Sequence, residues 1–248
     1  MVNLEERDRA VRRQIEAAER DGLAILDRLL ILCQNGTAVC QGQHDRGLNF
    51  ICGLLLVRAF NSLWRARQDL AHGYPIQAIS LARSAFEDWV AVEWIEHDAA
   101  NLPFFLGALV EEVELPRDDA GNPRFVPGTS RMLAALDDSD ERRNAKQTYD
   151  LLSKFAHPRG TSLRWQFSAS PEAVDVHAGP YIEGRDIQTG LYFLVDVVIR
   201  TLSPLERLQD RWLGNADADW VHAATEVAID GLRFIDSILA QVEAQASQ

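Results

Sequence analysis

The chain has 248 residues, of which 47% are hydrophobic, and this length and composition favour one large domain with a sizeable core over two small domains. Its formal net charge of −12 makes general electrostatic attraction to nucleic acid or to an anionic membrane unfavourable. A local basic groove is still compatible with this net charge. Nearly all cations are arginines, with only Lys146 and Lys154 as lysines, which we interpret as a composition bias of the genome.

The cysteines and the N-terminus bear on the cellular compartment. Cys33, Cys40 and Cys52 form no Cys-x-x-Cys pair, which predicts reduced, packed thiols. The first twenty residues are charged throughout and lack the apolar stretch of a signal peptide, and the longest apolar run, 50–57, is too short to span a bilayer. We therefore expect a cytoplasmic protein without a membrane partner.

The first two helical patterns precede residue 75. Apolar residues recur every seven positions from Leu4 to Leu32, which predicts a long amphipathic helix over 1–33, and the following Asn35-Gly36 predicts its end. A second pattern runs from about 45 to 72. Gly73-Tyr74-Pro75 then ends one helix and begins the next, because proline is tolerated in a first helical turn.

The stretch from Pro75 to Asp98 is the helix around which we expect the bundle to be organised. Its apolar arc contains Arg83, whose guanidinium needs a partner or a path to water if that face packs. Glu87 lies one turn later, where the two charged groups can meet, while Asp88 falls on the polar side. We keep two interpretations, a structural ion pair and an internal polar pocket. The arc comprises Ile76, Ile79, Ala82, Phe86, Trp89, Val90 and Trp94.

The middle of the chain alternates short helices with loops. Helical patterns cover 102–114, 130–136 and 142–156, and the proline- and glycine-rich segment 115–128 predicts a loop that serves either as a connection or as a lid over a pocket. Two segments with alternating apolar and polar residues follow, within a predicted excursion over 158–184. They predict a small β-hairpin near 162–178.

The last two helical patterns, 186–212 and 217–243, are strongly periodic, with a kink or break predicted at Pro204. The C-terminal helix carries a seam of apolar residues every seven positions, as does the N-terminal helix. These seams pack on each other or form a homodimer interface. We expect one helical-bundle domain over 1–248 and a homodimer, with a protein or a small ligand as further partner.

Several chemistries lack their motifs. The sequence contains no GxxxxGK[ST] or GxGxxG phosphate cradle after a strand, no GxSxG elbow, and no paired Glu-x-x-His of a di-iron bundle. Glu93 and His97 stand one turn apart and could supply two metal ligands, but a helix-end histidine with an ordinary hydrogen bond is the commoner case. We therefore predict neither a metal nor a cofactor.

The segment Arg65-Ala-Arg67-Gln-Asp-Leu-Ala-His72, at a predicted helix end, resembles the HEPN (higher eukaryotes and prokaryotes nucleotide-binding) superfamily. Its ribonucleases carry an arginine, four to six residues and a histidine, which act together on the scissile phosphate at a dimer cleft. The resemblance implies a metal-independent endoribonuclease with His72 in acid–base work. In a continuous helix Arg65 lies within about 20° of His72, whereas Arg67 lies about 140° away, so Arg65 is the better partner.

A second resemblance covers LARSAFEDW (81–89) and YDLLSKFAHP (149–158). The two segments are similar to uncharacterised bacterial helical proteins grouped loosely with HEPN-like or abortive-infection proteins. This resemblance implies that Arg83, Glu87, Ser153 and His157 surround one polar cavity. Our leading expectation is a cytoplasmic binding or interaction protein with a role in defence or stress response, and the ribonuclease at Arg65 and His72, with RNA as its partner, is the alternative.

Overall fold

The computed structural model describes residues 3–41, 47–109, 114–137, 139–156, 167–169, 174–176, 180 and 184–246. Within these residues the chain forms nine α-helices and one pair of short strands, and the prediction of an all-α bundle is confirmed. The helices are α1 (Leu4–Ala18), α2 (Arg20–Thr37), α3 (Leu48–Ala71), α4 (Pro75–His97), α5 (Leu102–Leu109), α6 (Thr129–Ala135), α7 (Asp140–Ala156), α8 (Gly184–Leu213) and α9 (Ala218–Ala246).

The N-terminal region is two helices, not the single helix predicted for 1–33. The helical path is interrupted at Glu19, where φ is −111° and ψ is 28°. The second helix continues past Asn35-Gly36 to Thr37, so the predicted end was wrong. The reason is tertiary packing: a Cβ on Gly36 would lie 3.0 Å from the ring of Trp220 in α9. The glycine therefore admits an aromatic ring instead of making a turn.

Helix α4 lies at the centre of the bundle and packs against α3, α6, α7 and α8. Because neighbours cover it on several sides, even Asp88 on its polar side is only 1% exposed. Arg58 of α3 reaches this carboxylate, with Nε 3.0 Å from both oxygens. Desolvation raises the pKa of Asp88, and the hydrogen bonds and charge of Arg58 oppose this shift.

Helices α2, α8 and α9 pack on one another and share one hydrophobic core with α3 and α4. Helix α8 runs continuously from Gly184 to Leu213, so the predicted break at Pro204 is absent. Pro204 is buried, and burial of the apolar face holds the helix together although proline cannot donate a backbone hydrogen bond. Of the cysteines, Cys33 and Cys52 are buried and free, as predicted, while Cys40 is half-buried.

The hairpin predicted near 162–178 is not seen at that extent. The structure describes two strands of three residues, Phe167–Ala169 and Val174–Val176, paired antiparallel with Phe167 opposite Val176. The other residues of 158–183, apart from Pro180, lie outside the described residues. So short a ribbon makes few ladder hydrogen bonds among the described residues.

The segment predicted as a loop, 115–128, is non-helical, and an isolated bridge joins Arg117 to Pro123. Its Phe125 is 74% exposed.

The stretch Arg20–Cys40 is long and apolar enough to cross a membrane by length and composition alone. Because 44% of it is buried inside the protein, and because core helices meet the same criteria, this is weak evidence for a span.

The close approach of α8 to α3 yields a stability prediction. A Cβ on Gly190 would lie 2.5 Å from Cδ1 of Leu70, whose side chain is fully buried. We expect Gly190→Ala to lower the free energy of unfolding by about 1–2 kcal/mol, since overpacking outweighs the better helix propensity of alanine. Gly184→Ala, with nothing within 4 Å, is the control for urea denaturation. Equal midpoints for the two variants would contradict the prediction.

Candidate functional site

The residues of the predicted ribonuclease site lie at the end of α3, and each has another partner. Arg65 is 70% exposed and its Nη2 lies 3.0 Å from Oδ1 of Asp69. His72 donates from Nδ1 to the carbonyl of Gln68 at 2.6 Å, and its Nε2 lies 3.7 Å from Asp8 of α1. The carboxylates beside both side chains are unfavourable for a phosphate.

Arg67, the other arginine of that motif, belongs to the architecture. Its Nε and Nη2 donate to the two carboxylate oxygens of Asp27 at 2.7 and 2.8 Å, which ties α3 to α2. Its side chain is only 12% exposed. This bidentate, largely buried pair leaves Arg67 no free donor face for a substrate.

The second predicted group is brought together in part. Arg83 and Glu87 form the predicted pair, with Nη2 3.0 Å from Oε1. The guanidinium of Arg83 also lies over the ring of Tyr149 in α7, 5.6 Å from its centroid. Ser153 lies one turn further along α7, and its hydroxyl has no hydrogen-bond partner among the described residues. His157 lies outside the described residues, so its membership stays a prediction.

A larger polar feature lies between α4, α7 and α8. Here the structure leaves a cavity of about 480 Å³, the α4–α7–α8 cleft. A second cavity of about 750 Å³, the α8–α9 groove, adjoins it. Both are lined by Trp89, Glu93, Glu141 and Arg207, so they form one continuous depression. Volumes of this size are typical of small-molecule sites.

An ion network forms the floor of the α4–α7–α8 cleft. Arg207 of α8 donates to Glu93 at 2.6 Å and to Glu96 at 2.7 Å, both on α4. Arg211, one turn later, lies 2.6 Å from the other oxygen of Glu96 and donates to Asn49 of α3 at 2.7 Å. The network therefore joins three helices and fixes the position of Glu93.

The electrostatic environment of Glu93 is acidic as well as buried. Burial raises the pKa of Glu93, Arg207 opposes this shift, and the charges of Glu96 and Glu141 add to it. Glu141 stands in the first turn of α7, on the other side of the cleft, and is exposed. Two carboxylates thus influence each other across an open cavity.

The lining of the depression carries an excess of negative charge, because seven carboxylates and four arginines line the two cavities. All four arginines that line it have partners: Arg142 with the Leu136 carbonyl, Arg200 with Asp196, and Arg207 and Arg211 in the floor network. Glu141, Asp137 and Asp236 also line it, and none of them has an ion pair among the described residues. The depression therefore offers its free charge to a cation.

An aromatic and an apolar wall complete the depression. Trp89 of α4 is 3% exposed, and the guanidinium of Arg200 lies 5.3 Å from its ring centroid. Arg200 is itself held by Asp196, one turn earlier on α8. The side chains of Arg200 and Asp196 are only 11% and 17% exposed. On the far side, Leu232 and Leu239 of α9 line the groove.

The sequence analysis missed the floor network. Glu93 could have been singled out, since it breaks the apolar arc of α4, but it was considered only as a metal ligand together with His97. Among the described residues no three His, Cys, Asp or Glu side chains are grouped so that they could hold a metal ion. Nothing in the spacing of the sequence points from Glu93 to Arg207, which is 114 positions away.

Comparison with known proteins gives no match for this chain among protein-family models, curated proteins or solved structures. The HEPN-like and abortive-infection-like resemblances, the homodimer and the cytoplasmic location therefore stay predictions.

Proposed function

We propose that this protein is a helical binding protein whose α4–α7–α8 cleft takes a small organic cation. The observation that carries the proposal is the position of Glu93 and Glu141 on opposite walls of the cleft, where Arg207 and Arg211 are already paired in the floor network. A ligand ammonium between the two carboxylates would relieve their mutual repulsion and would donate to both.

The enclosure of the cleft supports binding more than surface attraction. Glu93 is 25% exposed, and Arg207 already holds its side chain in place. Binding a ligand to its carboxylate therefore costs little further side-chain entropy. The ring of Trp89 and the side chains of Leu48, Leu136 and Ala145 line the same cavity. A cation with a few carbon atoms can therefore bury its carbon skeleton while its charge meets the carboxylates.

The ribonuclease alternative has less support from the geometry. Arg65 is engaged with Asp69, and His72 with Gln68 and Asp8, so neither side chain is directed at the other by a contact in the described residues. A role in defence or stress response goes with the binding protein and with the abortive-infection-like resemblance of segments 81–89 and 149–158, and it stays part of the proposal.

Calorimetric titration with butylammonium chloride at low salt tests the proposed site. We expect saturable binding that Glu141→Gln weakens about fivefold, as expected for one ion pair in a partly enclosed setting. Because Glu141 is exposed and has no ion pair among the described residues, the substitution should lower the free energy of unfolding by no more than about 1 kcal/mol, the usual contribution of an acidic group in a first helical turn. The matched control is Glu226→Gln on α9, whose side chain is 65% exposed and lies outside both cavities.

The same titration has a pH dependence of known sign. Burial holds the pKa of Glu93 above its ordinary value, so Glu93 takes up a proton earlier than a free glutamate as the pH falls. We therefore expect weaker butylammonium binding at pH 5 than at pH 7.5. Succinate should not bind at either pH. Binding that is equally strong for succinate, or unaffected by Glu141→Gln, would overturn the proposed function.

A further inference from the structure

The α8–α9 groove has an apolar side that the cation site alone does not explain. Leu232 and Leu239 stand two turns apart on α9, and they are 50% and 45% exposed although both line the groove. Ile199 and Tyr192 of α8 line the same groove. Exposed leucines side by side along a cavity mark a surface that binds apolar groups more often than scattered exposure does.

The groove is amphipathic across its width. Asp196 and Arg200 of α8 and Asn144 of α7 line it together with the leucines of α9. These polar groups bond to one another, since Arg200 donates to Asp196 at 3.0 Å and also to Asn144. An occupant therefore finds apolar contact with Leu232 and Leu239 on the α9 side, together with the carboxylate of Asp236.

The groove is continuous with the cation site, because Glu93, Glu141 and Arg207 line both cavities. A molecule whose ammonium lies at Glu93 and Glu141 has its nearest apolar surface along Leu232 and Leu239. We propose that the ligand is a cationic amphiphile, an alkylammonium whose tail of about eight to ten carbons lies in the α8–α9 groove. This inference rests on the proposed function and specifies its ligand class.

Two features favour a single tail over a helix of a partner protein. The groove has a volume of about 750 Å³, which is in the range of small-molecule sites. An α-helix with its side chains is about 10–12 Å across, so it could lay only one face along the groove, whereas a single alkyl tail can enter it. Charge complementarity favours the cationic head group, because Glu141 and Asp236 line the groove without ion pairs among the described residues.

The experiment is a chain-length series of butyl-, hexyl-, octyl- and decylammonium chloride, kept below their aggregation concentrations and titrated calorimetrically into the full chain. A tail that is partly buried in the groove should increase affinity about twofold for each added methylene. Decanoate has a similar tail with the opposite charge, and it should not compete with decylammonium.

Variants locate the tail. The double variant Leu232→Ser/Leu239→Ser should flatten the dependence on chain length while leaving butylammonium affinity unchanged. Leu54→Ser on α3, whose side chain is 43% exposed and lines neither cavity, should keep the full dependence. Circular dichroism of all variants verifies that the serines have not unfolded α9.

The outcomes separate the two proposals. Failure of butylammonium to bind in a Glu141-dependent way overturns the proposed function and the inference with it. Glu141-dependent butylammonium binding without a chain-length dependence overturns the inference alone. A lysine-rich amphipathic peptide that needs Leu232 and Leu239, where decylammonium does not, would identify a partner helix as the occupant and would likewise overturn it.

Discussion

Replacing Phe86 by alanine is expected to lower the free energy of unfolding by about 4 kcal/mol, within the range for a fully buried phenylalanine. Phe86 is 0% exposed in the middle of α4. Its ring lies 5.1 Å from that of Trp89 and 6.2 Å from that of Tyr149 in α7, and the guanidinium of Arg200 lies 5.8 Å away. Removing it leaves a cavity where three helices meet.

The measurement is urea denaturation followed by circular dichroism. Phe125→Ala is the matched control, because this phenylalanine is 74% exposed in the loop before α6 and should change the unfolding free energy by less than about 0.5 kcal/mol. A loss below about 2 kcal/mol for Phe86→Ala would mean that the surrounding helices collapse into the space. It would contradict the rigid central position that we assign to α4.

Arg207→Met is expected to cost about 2–3 kcal/mol of folding stability at pH 7.5. The substitution keeps most of the apolar stem but leaves Glu93 and Glu96, 25% and 11% exposed, without their shared cation. Arg211 still compensates Glu96 in part. The side chain of Arg207 is 38% exposed, and solvent screening places the loss at the lower end of what a fully buried pair would show.

Acid should reduce the defect of Arg207→Met. Burial already raises the pKa of Glu93 in the wild type, so the folded state favours its protonated form. The contribution of protonated Glu93 to the free energy of unfolding is fully present below the pKa of glutamate in the unfolded chain. It is lost as the pH rises through the pKa of Glu93 in the folded protein. Without Arg207 we expect the pKa of Glu93 to rise further. The stability lost in Arg207→Met should therefore be smaller at pH 5 than at pH 7.5.

Arg233→Met is the control for this pH series. Its side chain is 77% exposed and lies 3.7 Å from Asp230, so the substitution should have little effect at either pH. A deficit for Arg207→Met that is equal at pH 5 and pH 7.5 would contradict the role of Arg207 as the compensating charge of Glu93.

Helical periodicity was sufficient to predict the class of the fold, and the reason is physical. The seven-residue repeat in α9 and the apolar arc of α4 are local patterns that record which face is buried. Where the outcome depended on a distant residue, prediction failed. Gly36 continues a helix because Trp220 packs against it, and Asp88 is buried because Arg58 reaches it from another helix.

The candidate site was predictable only in its local parts. The Arg83–Glu87 pair follows from the spacing of one helix turn, and the structure contains it. The spacing of Arg65 and His72 also placed them on one helix face, yet it carried no information about Asp69, Asp8 and the Gln68 carbonyl, which engage them. Pairing between charges on separate helices depends on the tertiary fold, which no short motif records.

The packing of α2 against α8 and α9 has a consequence for how the protein is made. Helices α3 and α4 are neighbours in sequence and can form a hairpin as soon as both have left the ribosome. The apolar face of α2, with Leu23, Leu26 and Cys33, is covered by helices that begin only at Gly184 and Ala218. During synthesis this face therefore emerges from the ribosome well before α8 and α9, and it stays uncovered by them until they have been made.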